Sequence, residues 1–446
     1  MTVLGIDVGT SKVAAVILDG RGRLLAVCSA AHEADLSRAA GLSEQDPQKL
    51  WAAVRCQVLG LPVELRRAVT VVGVTGQMHG VMLVDNGGEA AGSLVTWQDL
   101  RCHADFLAGL QRRTGYALYS GYGCATLAWL ADRGEVPERA TCACTIQDWV
   151  VARLCGEARP VTDVTDAASW GLFDLARLAW DANAVAAAGI PRPLLPDVVD
   201  CGYKAGGVCR AMAEDLGLTA GTPVAAAVGD NQASLMATLA EPQEEVALTL
   251  GTGGQLSAVM QAGFVPPRPA PGATFEYRPY RGGRYVAVAA ALCGGAAWQW
   301  LAASVENWLA SLGVQGRDRE QLYAKLDELG LQAEAAVEVR PHLRGERYDP
   351  SLRGSIHGLS TEPLTLGNLA RGLAEGIVES LANMLPPAVL TGRKRVVGSG
   401  NALRHSALLR RMAEKALGLP LVMNESQEEA ACGAARLALG MLRASS

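Results

Sequence analysis

The 446-residue sequence lacks the marks of several common protein classes. No Gly-x-x-x-x-Gly-Lys-Ser/Thr occurs, which excludes a P-loop, and no Gly-x-Gly-x-x-Gly follows a strand-like run, which argues against a Rossmann dinucleotide site. No Cys-x-x-Cys is present. The eleven cysteines are dispersed and without metal-ligand spacing, as expected of reduced core thiols in a cytoplasmic protein. No basic block stands out and the formal net charge is −5, so nucleic acid is not an expected partner. The start, Met1 to Asp7, runs directly into a strand and has no signal-peptide pattern. The most apolar later stretch, Val286 to Trp298, is too short and too glycine-rich to span a bilayer, so no membrane is expected either.

What is present is a long, ordinary globular composition, half apolar and 19% charged, which predicts two or three domains. Fifty glycines mark tight turns and close backbone approaches. Leu4–Val8, Val13–Leu18 and Leu24–Ser29 read as a three-strand meander. The first turn, Gly9-Thr10-Ser11-Lys12, follows Asp7 at a strand end. It reads either as an ordinary hairpin or as a nest of N–H groups, hydroxyls and a cation for a phosphate. Asp46-Pro47 opens a helix striped by Leu50, Val54 and Val58.

Val69–Val74 is a buried strand ending in Thr75-Gly76-Gln77-Met78-His79-Gly80. Leu94–Trp97 is another, ending in Gln98-Asp99-Leu100-Arg101. Donors and acceptors gathered at two strand ends suit a polyhydroxylated ligand, and Trp97 could cover a sugar face. A single His in a turn, such as His79, also fits a purely structural role. Residues 103–200 read as mostly helical, with polar insertions at 146–149 and 162–168.

Near the midpoint, the apolar run Val224–Val228 leads into Gly229-Asp230-Asn231-Gln232 and then a helix. Open α/β folds carry their chemistry at such strand ends. Asp230 is a candidate catalytic base, or simply a helix N-cap. Residues 239–245 are polar and contain Pro242, which places a domain boundary between 240 and 241. Directly after it, Val246–Leu250, Gly251-Thr252-Gly253-Gly254 and Leu256–Met260 repeat the opening strand, Gly-Thr turn and strand. Two such units half a chain apart suggest a duplicated domain gripping one phosphate chain. Gly294-Gly295 precedes a helix with Leu301, Val305, Trp308 and Leu312 on one face, and glycines there fit a nucleotide. Leu366, Leu369, Leu373, Ile377, Leu381 and Leu385 stripe a core helix. Arg395–Val397 leads into Gly398-Ser399-Gly400-Asn401, and small residues in 429–435 permit close packing of the last helix.

In order and spacing, Asp7 to Ser11, Gly76 to Gly80, Trp97 to Asp99, Gly229 to Gln232, Gly251 to Gly253, Gly398 to Asn401 and Glu429 to Ala435 resemble the FGGY family of carbohydrate kinases, over nearly the whole chain. Further stretches, among them 97–107, 120–126, 145–151, 167–171, 343–347 and 398–403, are similar to the members that act on sedoheptulose. The resemblance implies an α/β protein of two ribonuclease-H-like, actin/Hsp70-type ATPase domains, each with a five-stranded mixed sheet, and nucleotide in the cleft between them. It implies residues 1–240 as the sugar-binding domain and 241–446 as the nucleotide-binding domain.

The same resemblance implies ATP and Mg²⁺, and phosphorylation of sedoheptulose at its C7 hydroxyl to give sedoheptulose 7-phosphate for the pentose phosphate pathway. Xylulose or ribulose are the alternative ketoses. Asp230 takes the base position and Asp7 the metal-associated one. Gln77, Met78, His79, Trp97, Asp99, Asp230 and Asn231 are expected to bind sugar. Gly9, Thr10, Ser11, Gly251, Thr252, Gly253, Gly295, Gln299, Gly400 and Asn401 are expected to bind nucleotide. The dipole of the helix that follows is expected to keep Asp230 ionised. Lys12 does not occupy the family's usual basic position, where Ala14 stands. The resemblance carries no oligomer interface, and a monomer or a homodimer is expected.

Overall fold

The computed structural model describes residues 1–446 except 38, 268–271, 315–317, 335, 336, 445 and 446. The opening meander forms as β1 (Thr2–Val8), β2 (Lys12–Asp19) and β3 (Leu24–Ala31). Next along the first sheet come β4 (Val69–Gly76), β5 (Lys204–Gly207), β6 (Pro223–Ala225) and β7 (Val228–Gly229). Their order is β5-β6-β4-β1-β2-β3, with β7 also on β4. β1 runs parallel to β4 and antiparallel to β2. The apolar run before Asp230 is thus two short strands separated by Ala226 and Ala227 rather than one.

The second sheet repeats the plan with β8 (Glu245–Leu250), β9 (Gly254–Val259), β10 (Phe275–Tyr280), β11 (Arg284–Ala291), β12 (Arg395–Ser399) and β13 (Leu421–Met423). Its order is β10-β11-β9-β8-β12-β13. The central hairpin β8–β9 is antiparallel and β8 runs parallel to β12, as β1 does to β4. Among the described residues the sheets hold seven and six strands, not the expected five. The extra members, such as β10 on the outer edge of β11, are additions around the duplicated plan.

Nine helices matter for the site: α1 (Pro47–Leu59), α2 (Gly123–Asp132), α3 (Ile146–Cys155), α4 (Val164–Ser169), α5 (Asp230–Thr238), α6 (Gly295–Ser311), α7 (Leu366–Met384), α8 (Asn401–His405) and α9 (Glu429–Ala444). Asp46 caps α1 by accepting the Gln48 and Lys49 N–H groups. The stripe of α7 is core from Leu369 to Leu381. On α6, Leu301 and Val305 are buried, but Trp308 is 52% and Leu312 79% exposed, so the apolar face runs past the edge of the sheet it covers. The 103–200 region carries short strands among its helices, including Cys142–Cys144 and Val161–Asp163.

The two halves exchange helices. α9, at the end of the second half, lies on the first sheet: Ala431, Ala435 and Ala438 pack with Val3, Val16 and Val71. Gly5 and Gly73 make this possible, since a Cβ on either would stand 2.1 Å from a carbonyl oxygen of α9. α5, at the end of the first half, sends Leu235, Met236 and Leu239 into a cluster with Ala247, Val259, Val286 and Val288 of the second sheet. The helices cross where Gly433 meets the Ala233 backbone. Among the described residues no helix is long and apolar enough to cross a membrane, and all eleven cysteines are free thiols.

Candidate active site

The parallel pairing of β1 with β4 brings Asp7 beside Thr75, so the Gly9–Ser11 turn and the Gln77–Gly80 turn leave the same sheet edge. β7, paired to the end of the same strand, adds Gly229 and Asp230 there. The matching edge of the second sheet carries Gly251–Gly253 between β8 and β9. A cavity of about 1170 Å³ lies between the edges, lined by Thr10, Ser11, His79, Trp97, Tyr122, Gly251, Thr252 and Gly253 among others. That exceeds the usual 300–1,000 Å³ of a site for one small ligand, and leaves room for two.

Asp230 is the first residue of α5; Gly229 holds the N-cap position. The N-cap reading therefore fails, and the carboxylate is not spent on the helix. Burial pushes Asp230 up to about 6, with the Asn231 N–H and the Arg278 guanidinium acting against the shift. The helix end therefore does not keep this acid in the ordinary carboxylate range, because desolvation outweighs the dipole. Burial, reinforced by the Asp230 and Glu428 carboxylates, pushes Asp7 up to about 8, and Lys12 pulls the other way. Lys12 Nζ is held 2.6 Å from Glu428 Oε2, just before α9. Asp7 Oδ1 is buried with no partner. Among the described residues no three His, Cys, Asp or Glu gather as a metal cluster, so an ion here would take most of its ligands from water and a substrate.

The Gln77–His79 turn splits its tasks. Gln77 is buried and donates to Gln45 Oε1 at 2.8 Å, while Gln45 donates to the Thr10 carbonyl at 2.7 Å. Gln77 thus braces the first Gly-Thr turn. The Met78 thioether packs where a Cβ on Gly229 would sit, 2.8 Å from it, and so supports the backbone before Asp230. His79, at φ 72°, gives its N–H to Ser169 Oγ and its Nδ1 to the Ser169 carbonyl at 2.6 Å. Burial, then Arg278 and Arg347, push it down to about 3. The ring is neutral, with Nδ1 as donor and Nε2 as the free acceptor.

Trp97 lines the cavity, 37% exposed, and its indole N–H donates to Thr10 Oγ1 at 2.9 Å. Asp99, expected to meet sugar, is fully buried instead: it accepts the Ser43 N–H and Arg101, which also reaches Glu44. A carboxylate beside a fork-shaped cation is consumed by it. Asn231 donates to Gln255 Oε1 of β9 at 2.9 Å and keeps its own Oδ1 buried without a partner.

On the nucleotide side, Thr252 and Gly253 line the cavity, but the Gly295 N–H donates to the Gly251 carbonyl at 2.7 Å. The Gly294 and Ala296 N–H groups both donate to the Thr252 carbonyl. Gly295 therefore anchors the turn rather than offering its N–H to a phosphate. Gln299 is exposed on α6 and Asn401 exposed at the start of α8. Gly400, at φ 89°, lets the chain pass the Leu250 carbonyl, where a Cβ would stand at 2.4 Å. Gly9 donates to the Lys12 carbonyl within its own turn.

Sequence reasoning missed the supports. Gln147 bridges the Gly76 and Gln77 carbonyls and Asp166, and Thr165 Oγ1 accepts the Gly229 N–H at 2.9 Å. Both fall in the polar insertions at 146–149 and 162–168, whose polarity in apolar surroundings was the available signal. Gln45 carried no local signal, and Tyr122 lay in the 120–126 stretch without a role read for it.

The family description "FGGY family of carbohydrate kinases, N-terminal domain" matches residues 2–237, and its C-terminal counterpart matches residues 246–441. The chain is 35% identical to a sedoheptulokinase of Homo sapiens, over 98% of this chain and 97% of that one. It is 28% identical to a xylulose kinase of Streptomyces rubiginosus, over 99% and 88%. Among solved structures, a xylulose kinase of Rhodospirillum rubrum superposes with a TM-score of 0.85 at 26% identity, over 99% of this chain and 90% of that one.

Proposed function

As the chain belongs to the FGGY family of carbohydrate kinases, we propose that it transfers the terminal phosphoryl group of ATP to the C7 hydroxyl of sedoheptulose. One observation carries the reaction: Asp230, raised to about 6, stands at the edge of the first sheet from which the Gly9–Ser11 turn and His79 enter the cavity, and the Gly251–Gly253 turn of the second sheet enters the same cavity. The sugar is supported by the identity with the human sedoheptulokinase. Residues 1–240 and 241–446 act as the two closing lobes. The product feeds the pentose phosphate pathway in the cytoplasm.

Phosphoryl transfer has a loose transition state, so positioning and charge neutralisation dominate. Asp230 accepts the proton of the terminal hydroxyl as the bond to phosphorus forms, a contribution of about 10²–10⁴ in rate. Asn231 Oδ1 and His79 Nε2 are the acceptors that orient the remaining hydroxyls. Thr10, Ser11, Thr252 and Gly253 take the phosphates from two sides. Mg²⁺ fits beside Asp7, whose unpartnered Oδ1 sits among the Asp230 and Glu428 carboxylates. When bound, it would neutralise phosphate charge. Closure of the lobes excludes water and so suppresses ATP hydrolysis.

ADP release measured over a panel of ketoses tests the reading. Turnover with sedoheptulose above xylulose and ribulose is expected. No ketose-dependent turnover would sink the kinase, and preference for xylulose would reassign the sugar. Asp230→Asn should lower kcat by about 10²–10⁴ while retaining sugar binding; undiminished turnover would remove Asp230 from the base position.

A further inference from the structure

Asp230 and His79 account for one end of a sugar. A second cavity, of about 360 Å³, lies on the other side of His79. His79, Tyr119 and Tyr122 line both cavities, so the two adjoin at these side chains. Its far side comes from the second half of the chain, through Glu276 and Arg278 on β10. This is the seam where α4, which supports His79 through Ser169, packs against β10.

Three groups there are locked to one another. Arg278, only 8% exposed, donates from Nε and Nη2 to Glu276 Oε2 at 3.0 and 2.9 Å. Tyr122, at the head of α2, donates its hydroxyl across the seam to Glu276 Oε1 at 2.9 Å. The Tyr122 ring stacks on the His79 imidazole, with centroids 4.5 Å apart and planes 12° from parallel. Burial works against ionisation of Glu276, but the Arg278 guanidinium and its neighbours hold the carboxyl well below its ordinary value.

We propose that Glu276 and Arg278 determine which ketose the site accepts, by binding the additional hydroxyls of a longer sugar. This rests on the ketose-kinase reading above. An ionised carboxylate has about four acceptor sites, and Tyr122 and the two Arg278 bonds occupy three. A guanidinium has five N–H donors, and Glu276 takes two. The pair therefore offers both an acceptor and donors, held to each other, to adjacent hydroxyls. An ion pair whose carboxylate side chain is 39% exposed is a weak source of net stability. Placed on a cavity wall against the His79–Tyr122 stack, it instead matches the chemistry of a polyol. A seven-carbon ketose held by Asp230 at its terminal hydroxyl carries two more hydroxyls than a five-carbon one, and these are what the pair can hold. Because the pair belongs to the second lobe, binding of the longer sugar also joins the lobes across the seam.

The test is the ratio of kcat/KM for sedoheptulose to that for xylulose, measured in the full chain with saturating ATP. Glu276→Gln is expected to lower the ratio about 10- to 100-fold, the range for a hydrogen bond to a charged group, mainly through KM for sedoheptulose. The ratio is independent of the fraction of folded enzyme, so partial misfolding does not imitate the effect. Tyr122→Phe, which removes only the hydroxyl that holds Glu276, should move the ratio in the same direction by less. An unchanged ratio in both variants, with ketoses still turned over, overturns the subsite and leaves the kinase standing. A wild-type chain that turns over no ketose overturns the kinase reading itself.

Discussion

A carboxylate that serves as a base must be ionised when the hydroxyl arrives, yet basic enough to take its proton. The base role proposed for Asp230 meets both needs, because burial raises it from 3.8 to about 6. At pH 7 it is still about nine-tenths ionised, and its basicity is closer to the optimum for neutral pH. The sign follows: below about pH 6 the protonated acid cannot accept, so log kcat/KM for the ketose should rise with unit slope and level off above. Asp230→Asn should lose that limb from its residual activity. A profile flat from pH 5 to 7 in the wild type would show that another group takes the proton. Stability carries the opposite dependence. Between about 4 and 6 the folded chain binds a proton that the unfolded chain does not, so this contribution is present at low pH and lost as pH rises through 6. Asp7 and Asp230 were legible as residues because each follows a short apolar run at a strand end. Asp99 looked equally available, but Arg101, two residues on, takes it out of the cavity. The Tyr122–Glu276 contact was invisible to local pattern, its residues being 154 positions apart and meeting only across the lobes.

The elements divide in the same way. The two strand–Gly-Thr–strand units were readable because a hairpin is a local object, and so was α7, whose stripe is fully periodic. The short strands of 103–200 were not, since two or three residues carry no period. The outer end of α6 misled because apolar spacing does not reveal where the underlying sheet stops. In α9 the small residues announced close packing, and the structure identifies the contact. A Cβ on Gly433 would stand 1.7 Å from the Ala233 carbonyl oxygen, which cannot swing aside as a side chain could. Gly433→Ala should therefore force α5 and α9 apart, at a cost of about 1–3 kcal/mol. Gly440, on the same helix, has open space around it. Gly440→Ala should stabilise by about 1 kcal/mol through helix propensity alone. Thermal melts of the two variants should move in opposite directions; a shift of the same sign would place the tight crossing elsewhere.

At the scale of the whole chain, duplication suggests two independent lobes, and the helix exchange contradicts that independence. Nothing in a helix's own sequence states which sheet it covers, so the crossing of α5 and α9 could not be read in advance. Its consequence is physical. Without α9, the face of the first sheet bearing Val3, Val16, Val71 and Ala225 would lie open to water. Gly5 and Gly73 on that face would have no backbone to approach. A contiguous apolar face of that kind drives association. Residues 1–240 expressed alone should therefore bind a hydrophobic dye, aggregate and melt without cooperativity. A peptide covering residues 426–444, added in trans or fused by a flexible linker, should restore a cooperative transition. A folded, monomeric 1–240 fragment would show that α9 is dispensable to the first lobe.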